Sequence, residues 1–207
     1  MNKNVMKRIF LMLGAILLLM GCKKDHVFMR GEIGSINGYE YVDLGLPSGI
    51  KWATCNVGAI SPYDVGDYYA WGETETKPEY WLNNSTDTVI MDISGNPEYD
   101  VARKKWGTSW RMPTAKELEE LVDLCIWKWN GSYLFQSYYE IIGPNGLSIT
   151  LPCSGYIRRT EIEYRYETHY WSSTPSDKYS YKAYALSDDY VRIKDKYYGM
   201  PIRPVSE

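Results

Sequence analysis

The sequence predicts an α+β fold with antiparallel sheets, two helices and long loops. Two observations carry this prediction. Near the middle of the chain, capping residues and apolar spacing indicate two helices in succession. On either side of them, short runs of strand-forming residues are separated by turn residues, and four of the later runs form two hairpins. The order along the chain is therefore strands, two helices, then hairpins.

The first helix is predicted at residues 97–106. Asn96 supplies an N-cap oxygen, and Pro97 suits the first turn, where a helix has no partner for the missing N–H. Gly107 stops the helix, since glycine accepts the left-handed backbone of a C-terminal cap.

The second helix is predicted at residues 115–125. Thr114 and Glu117 form a capping box, in which the hydroxyl accepts a backbone N–H and the carboxylate reaches back to the cap. The charged residues take the solvent side. Apolar residues recur at i, i+3, i+4 and i+7 and give one buried face: Leu118, Leu121, Val122 and Cys125.

The strands are predicted from alternating β-branched and aromatic residues. Asn145-Gly146 marks the first late hairpin, because this pair accepts positive φ. The last strand contains Pro201 and Pro204 and is expected to be an edge or irregular strand. Residues 73–92 lack periodicity and are predicted to form a long surface loop. The predicted strands are 41–44, 50–57, 67–71, 138–142, 147–151, 170–173, 182–186, 190–194 and 200–205.

The segment that joins the two helices permits two interpretations. Arg111 stacked between Trp106 and Trp110 would form a ligand clamp. Alternatively, the three residues form a corner of the core, in which Arg111 pairs with a buried carboxylate or caps carbonyl groups. The core corner is favoured because the segment lies at a helix junction.

The N-terminus has a basic start and an apolar run at residues 9–20 that is too short to span a bilayer comfortably. The run ends at Leu19-Met20-Gly21-Cys22, which resembles the lipobox of bacterial lipoproteins. This resemblance implies a signal peptide at residues 1–21 and a lipid on Cys22. An ordinary signal peptide or a membrane helix are the alternatives, but no A-x-A cleavage site is present and charged residues end the run at once.

Residues 22–37 are predicted to be a tether, and residues 38–207 a single domain. The eight Trp and twenty Tyr give too much aromatic surface for a solvated coil. Without its leader the chain has 186 residues with 20 basic and 26 acidic groups, a net charge of −6. This charge argues against a nucleic-acid partner, and membrane attachment is expected to rest on the acyl chains.

Three cysteines remain besides Cys22. An exported chain can form disulfides, so one pair at most is possible. Cys55 lies in a predicted core strand and Cys125 ends the apolar helix face, so both are expected to point inward and a disulfide between them is predicted. No two cysteines have the spacing of a zinc site, and no metal is predicted.

Short motifs after the leader resemble, in order, the Fibrobacter succinogenes major paralogous domain of bacterial lipoproteins. They also resemble the wider C-type-lectin-like superfamily, which includes sulfatase-modifying enzymes and receptor-binding proteins. The resemblance implies a C-type-lectin-like fold, in which the terminal strands pair, two helices pack beneath, and a loop-rich upper sheet carries the ligand. The motifs are Val42-Asp43-Leu44-Gly45-Leu46-Pro47-Ser48-Gly49, Lys51-Trp52-Ala53, Tyr69-Ala70-Trp71-Gly72-Glu73-Thr74, Trp110-Arg111-Met112-Pro113-Thr114, Leu151-Pro152, Gly155-Tyr156, Tyr170-Trp171-Ser172-Ser173 and Arg203-Pro204-Val205.

Catalysis is not expected, and no cofactor is predicted. The sulfatase-modifying enzymes rely on two cysteines close together late in the chain, and none follows Cys153. His26 and His169 are the only histidines, which excludes a three-histidine metal site. A Cys153–His169 dyad can be imagined, but a lone thiol is more often simply packed. The sequence signatures of calcium-dependent sugar-binding lectins are absent, and neighbouring aspartates alone do not supply six to eight oxygens.

The C-terminal third is rich in tyrosine, interspersed with serine and charged residues, which is typical of an adaptable binding surface. Tyrosine is also a good strand residue, so its inward-facing members are expected to be structural. The turn at residues 187–189 is expected to project two carboxylates. The predicted ligand-binding residues are Tyr179, Tyr181, Asp188, Asp189 and Tyr190.

These observations predict a lipid-anchored protein of the cell envelope, located in the outer membrane at its surface or periplasmic side. It is expected to bind an external glycan or protein ligand and not to be an enzyme. The alternative is a structural or assembly component of a surface complex. Asp87-Thr88-Val89 also resembles the O-glycosylation signal of exported Bacteroidota proteins.

Replacing Cys22 by Ala should abolish labelling of the protein by a radioactive fatty acid and hinder cleavage of the leader, because the thiol is the expected acceptor of the lipid. Labelling is measured in cells that express either form, with Cys55→Ala as the matched control. Unchanged labelling of the Cys22→Ala protein would exclude this residue as the anchor.

Overall fold

The computed structural model describes residues 32–85, 89–131 and 136–207. The predicted signal peptide, the lipidation site Cys22 and the first part of the predicted tether lie outside these residues. Asp87 and Thr88 of the predicted glycosylation signal also lie outside them. Within the described ranges, no helix has the length and apolar character that a membrane crossing requires.

Two α-helices and twelve strands form the regular structure of the described residues. The helices are α1 (Val101–Trp106) and α2 (Ala115–Leu124), and a short 3-10 helix covers Leu82–Asn84. The strands are β1 (Ile33–Ile36), β2 (Tyr39–Asp43), β3 (Lys51–Ala53), β4 (Ile126–Asn130), β5 (Tyr138–Ile142), β6 (Ser148–Pro152), β7 (Tyr156–Arg158), β8 (Glu161–Glu163), β9 (His169–Pro175), β10 (Lys182–Ser187), β11 (Tyr190–Asp195) and β12 (Val205–Ser206).

The strands of the described residues form four sheets, and every strand pairing in them is antiparallel. The sheet orders are β1-β2-β3-β12, β11-β10-β9, β4-β5-β6 and β7-β8. Strand β12 lies beside β3, so the end of the domain pairs with its beginning. The predicted α+β class with antiparallel sheets and two helices is confirmed.

The core consists of two apolar clusters, and the first sheet lies between them. Side chains alternate across a strand, so Ala53 and its neighbour Tyr41 belong to one cluster, while Trp52 and its neighbours Val42 and Val205 belong to the other. Helix α1 packs into the first cluster and α2 into the second. Trp52 and Ala53 therefore lie on opposite faces of the sheet.

Helix α1 is shorter than predicted and begins at Val101 instead of Pro97. Asn96 does not cap it, because its side chain accepts the N–H of Glu98 at 3.0 Å and holds a preceding turn. Asp100 is the N-cap. Its buried carboxylate accepts three backbone N–H groups, from Arg103 at 3.0 Å, Gly95 at 2.7 Å and Met112 at 2.8 Å.

The end of α1 and the start of α2 agree with the predictions. Gly107 terminates α1 with a φ of 91°. The capping box is present: the Thr114 hydroxyl accepts the N–H of Glu117 at 3.3 Å, and the Glu117 carboxylate accepts that of Thr114 at 2.7 Å. Helix α2 ends at Leu124, one residue early, with Cys125 as its extended C-cap.

The aromatic corner between the helices is part of the core, as the favoured interpretation predicted. Trp106 stacks on Tyr39 with ring centroids 3.7 Å apart, and Trp110 meets Trp106 edge-on at 5.3 Å. Arg111 forms a bidentate pair with Glu117 through N–O distances of 2.9 and 2.7 Å. These contacts use the side chains that a ligand clamp would need.

Several strand boundaries differ from the predictions. The two late hairpins are confirmed as β5–β6 and β10–β11. The strand predicted at 67–71 is reduced to one bridge between Tyr69 and Met200. The strands predicted at 50–57 and 200–205 correspond in the structure to the short strands β3 and β12. Pro201 and Pro204 lack the backbone N–H groups that a longer ladder of hydrogen bonds needs. Strands β4, β7 and β8 were not predicted.

The predicted tether at residues 22–37 is wrong in its last part, because residues 33–36 form β1 and pair with β2. Asn37 and Gly38 take φ values of 53° and 84°, the two successive positive angles of a tight hairpin turn. The Asn-Gly pair was therefore the sequence signal for this hairpin.

The predicted Cys55–Cys125 disulfide is absent, and these two residues and Cys153 are free thiols. Cys55 lies in a bend after β3, whereas Cys125 caps α2 and packs against the second cluster. Burial raises the pKa of both Cys125 and Cys153 to about 12, so these two thiols are protonated at neutral pH.

Arg203 is fully buried and joins strands from different sheets. Its guanidinium donates to the carbonyls of Ala53 and Thr54 at 2.9 Å, to Thr150 at 2.9 Å and to the amide oxygen of Asn56 at 2.7 Å. All four acceptors are neutral, and desolvation lowers the pKa of the guanidinium. Four hydrogen bonds to neutral acceptors thus stabilise the buried guanidinium charge of Arg203.

Replacing Arg203 by Met should lower the free energy of unfolding by about 3 kcal/mol or more, because several buried acceptors lose their donor. Denaturant titration measures the change, and exposed Arg165→Met should stay within about 0.5 kcal/mol of the wild type. Equal stability of the two variants would show that the buried network does not hold the sheets together.

Candidate ligand-binding face

The predicted ligand-binding residues lie at opposite ends of β10. Tyr179 and Tyr181 precede the strand, whereas Asp188, Asp189 and Tyr190 follow it. The six residues of β10 separate the two groups by about 20 Å at roughly 3.4 Å per residue. The two groups are therefore not adjacent in the structure, and their role in ligand binding stays a prediction.

The first group is a pair of surface tyrosines with basic neighbours. The rings of Tyr179 and Tyr181 lie 5.8 Å apart at a tilt of 48°. Lys178 lies over the Tyr179 ring at 5.2 Å, and Lys182 over the Tyr181 ring at 5.4 Å. Each ring therefore has a lysine of the same chain over one of its faces.

In the second group, Asp188 stabilises the turn instead of projecting from it. Its φ is 54°, its carboxylate accepts the N–H of Thr168 at 3.1 Å, and its own N–H donates to the Thr168 carbonyl at 2.9 Å. Asp189 is exposed, and Tyr190 is exposed beneath the Arg192 guanidinium at 4.8 Å. The expectation of two projecting carboxylates is wrong for Asp188.

Four other tyrosines are in ring-to-ring contact and form a surface that we call the tyrosine face: Tyr156, Tyr164, Tyr197 and Tyr198. Tyr156 stacks against Tyr164 with centroids 5.6 Å apart and against Tyr198 at 4.7 Å, with interplanar angles of 22° and 19°. Tyr197 meets Tyr198 edge-on at 4.7 Å. Tyr156 is 7% exposed and Tyr164 is 58% exposed, so the buried ring supports the exposed one.

Charged groups border the tyrosine face. The hydroxyl of Tyr156 donates to Glu163 at 2.9 Å, and Glu163 lies 3.8 Å from Arg158. Lys194 lies over the Tyr156 ring at 5.2 Å, and burial lowers the pKa of Lys194. Burial and the Glu163 carboxylate raise the pKa of Tyr156, which keeps its hydroxyl protonated as a donor.

Two turns determine the position of the side chains in the tyrosine face. The β7–β8 hairpin carries Tyr156, and its turn requires a left-handed Arg159 with a φ of 62°. Ile157 and Gly199 exchange backbone hydrogen bonds of 2.8 and 2.9 Å, which fixes the turn that carries Tyr197 and Tyr198. A side chain at Gly199 would lie 2.8 Å from the Tyr80 ring, so glycine permits this approach.

His169 lies beneath the tyrosine face and is fully buried. Its Nδ1 is 3.3 Å from the Ser187 hydroxyl, its Nε2 is 3.2 Å from Glu167, and its ring meets that of Tyr156 at a right angle with centroids 5.0 Å apart. Desolvation lowers the pKa of His169 to about 3, with Lys194 and Arg192 acting in the same direction. The imidazole is therefore neutral at pH 7.

This arrangement does not contain the imagined Cys153–His169 dyad, because both ring nitrogens face Ser187 and Glu167. Ser187, His169 and Glu167 do form a chain of contacts, but Ser187 is only 5% exposed and His169 is 0% exposed. A substrate has no access to a hydroxyl and a base that are both buried. The chain of contacts supports the face from below.

Two further observations concern other kinds of site. In the described ranges, no group of three His, Cys, Asp or Glu side chains is arranged to hold a metal. A groove of about 520 Å³ runs along the solvent side of α2 and is bordered by carboxylates. Two of them already have partners, since Glu117 binds Arg111 and Glu120 accepts both the N–H and the hydroxyl of Ser48.

No family model, curated protein or solved structure matches the chain. The resemblance to the Fibrobacter succinogenes major paralogous domain therefore stays a prediction.

The tyrosine face lies only partly in the tyrosine-rich region that the sequence singles out. Tyr164, Tyr197 and Tyr198 belong to the tyrosine-rich third, whereas Tyr156 lies in a strand that was not predicted. The turn signal of the β7–β8 hairpin is weak, since Arg159-Thr160 contains neither glycine nor asparagine.

Lowering the pH below 6.5 should destabilise the fold through His169. The pKa of His169 is about 3 in the folded protein and 6.5 in the unfolded chain. Between these pH values the unfolded chain binds the proton, so the free energy of unfolding decreases as the pH is lowered. The slope reaches about 1.4 kcal/mol per pH unit. Glu167 and Asp188 have raised pKa values, mainly through desolvation, and act in the opposite direction.

The His169→Gln variant isolates the histidine contribution. Denaturant titrations at pH 7, 5.5 and 4 should show a shallower loss of stability than in the wild type. Parallel profiles for the two proteins would contradict a neutral buried imidazole.

Proposed function

We propose that this chain is a lipid-anchored binding protein of the bacterial outer membrane, facing the surface or the periplasm. Its C-type-lectin-like domain holds an external glycan or protein ligand on the tyrosine face. Cys22 carries the anchor, which the lipobox-like end of the apolar run supports. The pairing of β12 with β3 and the two helices between the terminal strands support the C-type-lectin-like assignment.

One observation carries the binding role: an exposed tyrosine ring lies on a buried one. Tyr164 is 58% exposed although one side of its ring is stacked on Tyr156. Aromatic side chains with few rotatable bonds give large contact area at low entropic cost, and stacking fixes the ring before a ligand arrives. Glu163, Arg158 and Lys194 supply polar groups beside this apolar surface.

The buried polar groups favour a ligand-binding role for this chain over a catalytic role. His169 is neutral and enclosed, and the Cys153 pKa of about 12 keeps that thiol protonated. The charged residues at the rim are in contact with each other or with the rings. Such a surface recognises a ligand by shape and hydrogen bonds.

A second candidate function is assembly into a permanent surface complex. It is favoured by three apolar side chains within one short segment: Leu124, Ile126 and Trp129 are 45%, 62% and 57% exposed. Strand β4, which carries two of them, is an edge strand. A stable partner would cover these side chains.

The test is a glycan and peptide array probed with the full chain in detergent. Replacing Tyr164 by Ala should weaken the array hits about 30-fold, since truncating an aromatic anchor costs about 2 kcal/mol or more. Tyr181→Ala is the matched control, because Tyr181 is 43% exposed and belongs to the site predicted from sequence.

Two other outcomes of the array experiment would contradict binding at the tyrosine face. Loss of binding only with Tyr181→Ala would place the site where the sequence put it and refute the tyrosine face. A wild-type chain that gives no hits but co-purifies with one stable partner would favour the assembly function.

A further inference from the structure

A second concave site shares no residue with the tyrosine face. It lies where the end of α1 meets the C-terminal strand and has a volume of about 240 Å³. We call it the arginine cleft, and it is lined by Arg103, Thr108, Ser109, Arg111, Ser206 and Glu207.

Arg103 shares this cleft with the carboxylate of Glu207, which lies near Arg111 and forms no ion pair with Arg103. Its Nε is buried and has no hydrogen-bond partner, and its guanidinium forms no ion pair within the described residues. The carboxylate of Asp100 is nearby in sequence but accepts three backbone N–H groups instead. Because the Nε is enclosed, the terminal nitrogens of the guanidinium are the groups that can meet a ligand in the cleft, and they have no carboxylate partner within the described residues.

The position of the Arg103 guanidinium is defined by its surroundings. Gly95 has a φ of 73°, and a side chain there would come within 2.8 Å of Arg103 Nη2. Glycine at this position therefore gives the guanidinium its space. The planar fork of an arginine matches the paired oxygens of a phosphate, sulfate or carboxylate group.

The opposite wall adds a second guanidinium and hydroxyl groups. Glu117 holds the Arg111 terminus at 2.7 Å, while Arg111 Nε is 3.6 Å from Glu207. The Glu207 side chain is 86% exposed, so solvent screens this contact. Thr108 and Ser109 are exposed residues of the same cleft and each carries a hydroxyl group.

The charges at the end of α1 do not prevent an anion from binding in the arginine cleft. The C-terminal end of a helix carries partial negative charge, but α1 is only six residues long and its last turn contains Arg103, Lys104 and Lys105. Lys104 and Lys105 face Glu75 at 3.1 and 3.9 Å, which leaves Arg103 as the uncompensated charge.

We propose that the arginine cleft binds a tetrahedral oxyanion group, sulfate or phosphate, with Arg103 as the principal ligand. Thr108 and Ser109 donate their hydroxyl hydrogens to it, and Arg111, whose charge is paired with Glu117, forms a fixed part of the wall. Glu207 competes with the anion for Arg111. The group can be a free inorganic ion or a substituent on a larger molecule.

The experiment uses the full chain in detergent and titrates sodium sulfate or sodium phosphate at constant ionic strength. Binding should be saturable. Arg103→Gln should weaken it about tenfold or more, because it removes a charge-assisted hydrogen bond. Arg103→Lys keeps the charge but loses the fork, and should also weaken binding. Glu207→Gln should strengthen binding about two- to fivefold, because a competing carboxylate is lost.

The matched control is Lys105→Gln, which makes the same charge change on the same helix but outside the cleft. Equal weakening by Lys105→Gln and Arg103→Gln would overturn the proposal, since general electrostatic attraction would then explain the binding. The absence of saturable binding by the wild type would also overturn it. Thermal melts of each variant confirm that it is folded.

The source of the oxyanion is decided by a second titration with glucose 6-sulfate and with unmodified glucose. Tighter binding of the sulfated sugar than of inorganic sulfate, with none by glucose, identifies a substituent on a carrier. Equal affinity for both sulfates identifies a free ion. Binding of glucose equal to that of its sulfate would contradict an oxyanion site. Because the tyrosine face is not altered in any variant, these outcomes do not depend on the proposed binding function.

Discussion

The buried guanidinium of Arg203 is the interaction on which the arrangement of the sheets depends. It binds carbonyls of β3 and the adjoining Thr54, and a carbonyl of β6. Asn56 accepts its Nε–H and also donates to the hydroxyl of Tyr170 in β9 at 3.2 Å. Three small sheets, none wider than four strands, are thereby linked at one point. Small sheets need such support because they bury little apolar surface alone.

This linkage also explains why the tyrosine face can be rigid. Tyr156 belongs to the first apolar cluster, together with Trp71 and Trp171. The exposed ring of Tyr164 therefore rests on a side chain that the core holds in place. A binding surface that continues into the core loses less conformational freedom when a ligand docks than one carried by loops alone.

The sequence predicted features that depend on local chemistry and missed those that depend on distant partners. The Thr114–Glu117 capping box and the Asn145-Gly146 hairpin are local, and both are confirmed. The start of α1 was misplaced because Asn96 and Asp100 are both good caps, and the choice is made by Met112, twelve residues beyond Asp100. Neither the four acceptors of Arg203 nor the stacking partners of Tyr156 can be recognised from spacing along the chain.

The two candidate surfaces differ in how their charges are balanced, and this difference sets what each can recognise. At the tyrosine face, Glu163 and Arg158 are paired and Lys194 lies over a ring, so a ligand gains mainly from ring contact and hydrogen bonds. In the arginine cleft, Arg103 forms no ion pair within the described residues, although the Glu207 carboxylate lines the same cleft. The chain as a whole has a net charge of −3, so its overall field does not attract anions. Anion recognition must therefore come from the short-range geometry of the guanidinium, which makes the cleft selective for groups that match its fork.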